Sequence, residues 1–284
     1  MKRLHHSEFP AARIRAQRER SVSICLPARN EAATIGPILD VLMPLLDTGV
    51  VDQVVVADDS IDATAKIARA AGAEVHQQSA LCPELGPVHG KGDAMWRSLS
   101  VLDGDVICFL DADSEYLGPH FACGLVGPLA CDAGVDFAKG FYRRPFRSGD
   151  QVADHGGGRV TELTAKPLLR RFFPELADCL QPLAGEVAAT RELLTSLPLV
   201  TGYGVDIALL IDAWRAVGVD RMAQVDLDVR QNRHQPLADL GPMASAVLDA
   251  VISRLLAQSG APGVEERPPM DRRPRPLSDF AARR

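Results

Sequence analysis

The chain has 284 residues, 46% of them apolar, 24% charged and 5% aromatic, the composition of an ordinary globular enzyme with ample material for one core. A formal charge of −6 excludes long-range attraction for nucleic acid or an anionic membrane, so a phosphate-bearing ligand must be held by locally placed basic groups. Residues 1 to 20 lack an apolar core of signal-peptide length and no later apolar run approaches the roughly 20 residues of a spanning helix, which places the chain in the cytoplasm.

After the charged leader, SVSICLPARNEAATIGPILDVLMPLL reads as a buried strand over Val22 to Leu26, a polar turn and a helix with apolar positions near i, i+3, i+4 and i+7. VDQVVVADDS is a second strand, ending in acids, and IDATAKIARAAG a helix closed by Gly72 as C-cap. AEVHQQ is a short third strand, the Pro- and Gly-rich stretch from Cys82 to Gly92 a loop, DAMWRSLSVL a helix, and DVICFLDADS a further strand ending in acids. Cys25 and Cys108 sit inside these strands, and none of the six cysteines forms a CxxC pair. They read as small buried hydrophobes in a reducing compartment.

The second half is less regular. VDFAKGFYRRPF reads as a strand and turn, GGGRVTELTAKPLLRRFF as a glycine loop entering a helix, and TGYGVDIALLIDAWRAVG as a loop entering another. From Gln258 onward five prolines and six arginines with few large apolar residues predict a mobile tail. The expected organisation is therefore a single domain over 21–257, with 1–20 and 258–284 as flexible termini. Alternation of strands and helices predicts a mostly parallel α/β sheet flanked by helices, with ligands beyond the carboxyl ends of the strands. Those ends carry Pro27 to Glu31, Asp58-Asp59 and Asp111 to Asp113, so three segments converge on one crevice.

Asp111 and Asp113 flank one small residue at a strand end, and alternation in an extended segment turns i and i+2 to the same side. Both carboxylates can therefore face one hard cation, Mg²⁺ or Mn²⁺, whose other ligands would be a nucleotide diphosphate. The plainer reading of the same segment is a polar strand end that caps the next element. Gly90-Lys91-Gly92 precedes a helix, where glycines let the backbone approach phosphate and Lys91 supplies a point charge. Gly156 to Gly158 expose backbone amides ahead of Arg159 and Thr161 at a helix start, a combination suited to an anionic acceptor.

Taken together, SICLPARNEAATIG, GKGDAMW, FLDADS, KGFYRRP, GGGRVTELTAKPLL, PLAGEVAATRELL, GYGVDIALLID and AQVDLDVR resemble the glucosyl-3-phosphoglycerate and mannosyl-3-phosphoglycerate synthases, retaining glycosyltransferases of the GT-A type. The resemblance spans about residues 21 to 240. It implies a Rossmann-like GT-A sheet with a nucleotide-sugar half over 21–140 and a smaller acceptor half over 141–257. It further implies a hexose donor such as UDP- or GDP-glucose, 3-phosphoglycerate as the small anionic acceptor, and a homodimer. Pro27, Ala28, Asn30, Glu31 and Ser60 would then surround the base and ribose, Lys91 would meet the diphosphate, and Asp111, Ala112 and Asp113 would hold the metal. Gly158, Arg159 and Thr161 would grip the acceptor, with Tyr203 and Arg230 completing the pocket. Asp206, Lys91 and Asp113 would be the residues closest to the chemistry, with Asp206 or the donor phosphate guiding the acceptor proton.

The sequence departs from the family pattern at identifiable places. Asp206 stands where Glu is usual after GYGV. In Val229-Arg230-Gln231-Asn232-Arg233-His234, Asn232 takes the place of a metal-ligating histidine and His234 that of an acceptor-contacting asparagine. Either Asn232 or His234 then serves as a further ligand. The turn Asp58-Asp59-Ser60-Ile61-Asp62 is one residue shorter than usual. These changes leave open a specialised-metabolism transferase with a different small acceptor. A nucleotidyltransferase is a weaker alternative, since PARNEA stands where such enzymes place a Gly-rich loop, and a non-catalytic nucleotide-sugar binder is disfavoured by the retained Lys91, Arg159 and aspartates.

Overall fold

The computed structural model describes residues 1–132, 134–144, 146–148, 151–153, 158–230, 237–256 and 264–270. The first half alternates between strand and helix: β1 (Lys2–His5), α1 (Ala11–Gln17), β2 (Val22–Ala28), α2 (Ile35–Asp47), β3 (Gln53–Asp58), α3 (Thr64–Ala70), β4 (Glu74–Gln77), α4 (Lys91–Ser98), β5 (Val106–Phe109) and α5 (Pro119–Ala130). There follow β6 (Phe137–Arg143), the antiparallel pair β7 (Phe146–Ser148) and β8 (Gln151–Ala153), α6 (Lys166–Phe172), β9 (Val187–Thr190) and α7 (Arg191–Ser196). The last elements are β10 (Leu199–Val200), α8 (Val205–Val217), β11 (Met222–Val229), α9 (Leu237–Leu256) and β12 (Glu266–Arg267).

Eight strands form one sheet in the order β1-β11-β6-β9-β5-β2-β3-β4. All neighbours run parallel except β9, which is antiparallel to both β5 and β6. The sheet is thus mostly parallel, and its strands read as near-continuous apolar runs because both faces are covered. Strand alternation sends Val22, Ile24 and Leu26 to one core with α2 and α5, and Cys25, Val55, Ile107 and Phe109 to the other with α4 and α8. On α2 the buried positions are Ile35, Ile38, Leu39, Leu42 and Leu45, the helical spacing expected of it. Each such burial stabilises the fold by about 2 kcal/mol. Gly72, the residue after the C-cap Ala71, takes the φ of 89° that suits glycine there.

Residues 1–20 and the described part of the tail, 264–270, are packed on the fold and not free as expected. Lys2 to His5 pair in parallel with Ala223 to Asp226 of β11, covering backbone groups that would otherwise form an open sheet edge. Two apolar residues of the leader, Phe9 and Ile14, are buried, and a Cβ on Gly127 of α5 would lie 2.4 Å from the Phe9 ring. At the other end Glu266–Arg267 pairs antiparallel with Leu199–Val200. Trp96 Nε1 donates to the Pro268 carbonyl at 2.8 Å and the Arg267 guanidinium donates to the buried Asp93 at 2.7 and 2.9 Å. Composition marked this segment as polar, but one buried acid on α4 is enough to hold its arginine.

Candidate active site

The carboxyl ends of β2, β3 and β5 lie side by side, so the loops that leave them must share one rim. The three are latched together by hydrogen bonds. Asn30, at a φ of 61° that an asparagine tolerates, donates its backbone N–H to Ser60 Oγ at 2.7 Å and accepts the Ile61 N–H on its side-chain oxygen at 3.0 Å. Thr34 Oγ1 donates to the Ala112 carbonyl at 2.7 Å. Below them opens a cavity of about 660 Å³, large enough for a nucleotide-sized ligand.

Of the residues assigned to the donor side, Pro27, Ala28, Glu31 and Lys91 line this cavity together with Asp111, Ala112 and Asp113. Of those assigned to the acceptor side, Gly158, Arg159, Thr161 and Tyr203 line it, as do Asp206 and Arg230. Asn30 and Ser60 do not line it and serve instead as the latch between two loops. Asn232 and His234 lie outside the described residues. Thr161 opens a single wide π-helical turn, Thr161–Ala165, that feeds into α6; such turns recur at functional sites because they displace side chains from the regular helical register.

The glycines around Lys91 have different tasks. Gly90 caps α4 at a φ of 97°, which only glycine adopts without strain. Gly92 faces β10, where a Cβ would lie 1.7 Å from the Val200 carbonyl oxygen. Its lack of a side chain admits a neighbouring strand.

Charge is concentrated at the floor. Lys91 Nζ lies 2.8 Å from Asp111 Oδ1 and 3.3 Å from Asp206 Oδ2. Arg230, 1% exposed, donates to Asp111 at 3.2 Å, Asp113 at 3.0 Å and the Tyr142 hydroxyl at 2.9 Å. It also pairs with the fully buried Glu186, whose other oxygen accepts from Tyr142 at 2.7 Å. Burial alone would push the Lys91 ammonium down, but Asp111 and Asp206 outweigh it and hold it well above its usual value. Burial also works against the charged form of Asp111, yet Lys91 and Arg230 keep that carboxyl well below the usual range. Asp113 is pushed up by burial and by the Asp111 charge, and Asp206 is pushed up by burial against the pull of Lys91 and Lys139.

Asp111 and Asp113 therefore form a like-charged pair in which the second carboxyl ionises reluctantly, and a divalent cation relieves that repulsion. The Asp111 carboxylate packs so closely on Gly185 that a Cβ there would lie 2.2 Å from both of its oxygens. The donors are carboxylate oxygens, and hard Mg²⁺ or Mn²⁺ suits them. Glu186, Tyr142 and Lys139 belong to this network but were given no role from sequence, although GEVAA and KGFYRRP stand among the stretches that carry the family resemblance. Lys139 is buried, donates to the Ala184 carbonyl at 2.8 Å, and is held below its usual pKa by desolvation. At the end of β3, Asp58 is 1% exposed, neither carboxylate oxygen has a hydrogen-bond partner among the described residues, and it does not line the cavity.

Comparison with known proteins agrees with this geometry. The model of glycosyl transferase family 2 matches residues 23–181. The glucosyl-3-phosphoglycerate synthase of Mycolicibacterium smegmatis is 48% identical over 240 residues, covering 84% of this chain and 79% of the relative. The crystal structure of mannosyl-3-phosphoglycerate synthase from Rubrobacter xylanophilus superposes with a TM-score of 0.86 at 43% identity, covering 96% of each chain. That of glucosyl-3-phosphoglycerate synthase from Mycobacterium tuberculosis, in complex with Mn²⁺, UDP-glucose and phosphoglyceric acid, gives 0.83 at 42% identity over 95% of this chain and 98% of the other.

Proposed function

Since this chain belongs to glycosyl transferase family 2 and within it to the glucosyl-3-phosphoglycerate synthases, we propose that it transfers glucose from UDP-glucose to the hydroxyl of 3-phosphoglycerate with retention of configuration. One observation of its own carries the reading: the DAD carboxylates, Lys91, Arg159 and Asp206 all line a single cavity. Two ligands of negative charge, a nucleotide diphosphate and a phosphorylated acid, need both acids able to hold a cation and basic groups in the same cavity. The cavity has both.

Residues 21–140 supply the donor side and 141–257 the acceptor side. Pro27, Ala28 and Glu31 border the nucleoside, with Asn30 and Ser60 fixing the shape of their loop. Asp111 and Asp113 would hold Mg²⁺ or Mn²⁺, which when bound neutralises charge on the diphosphate leaving group. Lys91 adds a fixed positive charge to the same region. Gly158, Arg159, Thr161 and Tyr203 hold the acceptor. Asp206 faces the cavity beside Lys91, and its raised pKa suits a carboxylate that accepts the acceptor's proton; Asn232 and His234 are further candidates for contact with metal and acceptor.

Among the described residues no helix is long and apolar enough to cross a membrane. The six cysteines are all free thiols, which suits the reducing cytoplasm as the place of work. We take the working form to be a homodimer. Leu248, Ile252, Leu255 and Leu256 make an exposed apolar stripe on α9, and size-exclusion chromatography giving a monomer mass would refute the dimer.

The test of the reaction is nucleoside diphosphate release from a panel of UDP- and GDP-sugars with Mg²⁺ or Mn²⁺, with and without 3-phosphoglycerate. Release from UDP-glucose that depends on 3-phosphoglycerate supports the assignment. Slow release indifferent to 3-phosphoglycerate overturns the acceptor and directs attention to Asp206, Asn232 and His234.

A further inference from the structure

Outside the cavity, a second group of metal-ligating side chains gathers where β1 ends against β11. His5 closes β1, and the 3₁₀ turn His6–Glu8 follows at once. In an extended strand two successive side chains point to opposite faces. Here the turn brings both imidazoles to one side, with ring centroids 4.4 Å apart.

The third member comes from a distortion in the facing strand. The pairing of β11 with β6 shifts register between Asp226 and Val229, and Asp228 within that bulge has a φ of 64°. A bulge re-aims a side chain, and aspartate tolerates the left-handed backbone it needs here. The side chain re-aimed here is a carboxylate. His6 Nε2 lies 2.7 Å from Asp228 Oδ2 and His5 Nε2 lies 3.7 Å from Oδ1. One ligand atom from each of the three residues falls within 4.8 Å of the others.

The imidazoles are seated. His5 Nδ1 lies 2.8 Å from Ser7 Oγ and 3.2 Å from the Ser7 backbone nitrogen, which turns Nε2 toward Asp228. Second contacts of this kind orient metal-ligating histidines. His6 packs on Gly124 of α5, where a Cβ would lie 2.9 Å from the His6 Cβ. His120, near the start of α5, adds a third imidazole whose ring lies 4.5 Å from that of His6.

We propose that His5, His6 and Asp228 form a second divalent-cation site, distinct from the DAD centre and selective for zinc-class ions. Two imidazoles and one carboxylate are a donor set of intermediate softness, suited to Zn²⁺, Co²⁺ or Ni²⁺ over Mg²⁺. None of the three lines the active-site cavity. An ion here ties the N-terminal strand to β11, two residues before Arg230. It acts as a clamp on the strand that delivers that buried cation, and glycosyl transfer need not pass through it.

The experiment uses the untagged full chain in millimolar Mg²⁺, titrated with Zn²⁺ by calorimetry and with Co²⁺ by visible absorption. One equivalent is expected to bind, to persist in Asp113→Ala, and to weaken at least tenfold in His6→Ala and in His5→Ala. Zn²⁺ should raise the melting temperature of the wild type and of Asp113→Ala and leave that of the histidine variants unmoved. Because the His5 side chain is half exposed, His5→Ala decides the matter should His6→Ala fail to fold. Binding unchanged in the histidine variants, or abolished in Asp113→Ala, overturns the second site.

Discussion

Lys91 Nζ stands 2.8 Å from Asp111 Oδ1, joining the first residue of α4 to the acid beyond β5. The same ammonium lies 3.3 Å from Asp206 at the start of α8, so one cation holds acids from two separate elements. Both partners favour its charged form and, against burial, hold its pKa above the usual lysine value.

Replacing Lys91 by methionine keeps the volume and removes the charge. Asp111 and Asp206 then face each other without their shared cation, and the diphosphate loses a fixed positive group. We expect kcat/KM for UDP-glucose to fall by about a hundredfold to a thousandfold, or about 3–4 kcal/mol of transition-state stabilisation. Steady-state kinetics with saturating metal measures it. A fall of less than threefold would place the diphosphate elsewhere.

Asp113→Ala is expected to abolish metal-dependent nucleotide binding. Calorimetry with UDP should give, in Mg²⁺, the weak affinity that the wild type shows in chelator. If Mg²⁺ still strengthens UDP binding in the variant as it does in the wild type, Asp113 is no ligand.

Gly185→Ala tests the floor from behind. A Cβ at that position meets both Asp111 carboxylate oxygens at 2.2 Å, so the carboxylate must move away from Lys91 and Arg230. Overpacking of this kind costs about 1–3 kcal/mol of stability. The larger effect should be functional, a loss of kcat/KM of at least about thirtyfold, since small misplacements of a positioned group cost heavily. Wild-type kinetics in a folded Gly185→Ala protein would show that Asp111 needs no fixed position.

The sequence made the inner strands and their acidic ends legible because those features are local. An apolar run buried on both faces announces a parallel strand, and an acid at its end announces the rim. β1 was hidden because three basic residues around a single leucine become a strand only by pairing with Ala223 to Asp226, far away in the chain. The tail was hidden for the same reason: Arg267 looks solvent-bound until Asp93 is seen beneath it. Glu186 and Tyr142 lay in stretches that carry the family resemblance, yet their part in the site follows only from the contacts both make with Arg230. The packing demand on Gly92 was hidden too, since a glycine at a helix start suits a phosphate and a close strand equally well.

The contact between Arg267 and Asp93 yields a pH-dependent stability with a definite sign. Burial would raise the Asp93 carboxyl, but hydrogen bonds from Arg267, the His89 backbone and Arg97 outweigh it and hold it below its usual value. A carboxyl depressed in the folded state contributes stability that is fully present above the unfolded pKa of about 3.9 and is lost as pH falls through the folded value. Arg267→Ala should therefore destabilise the protein by about 2 kcal/mol at neutral pH, the worth of hydrogen bonds to a charged group. Urea denaturation of both proteins should show that difference constant from pH 7 to about pH 4 and shrinking on further acidification, because protonated Asp93 gives Arg267 little to hold. A difference that grew on acidification would mean that Arg267 stabilises the fold by some route other than the Asp93 charge.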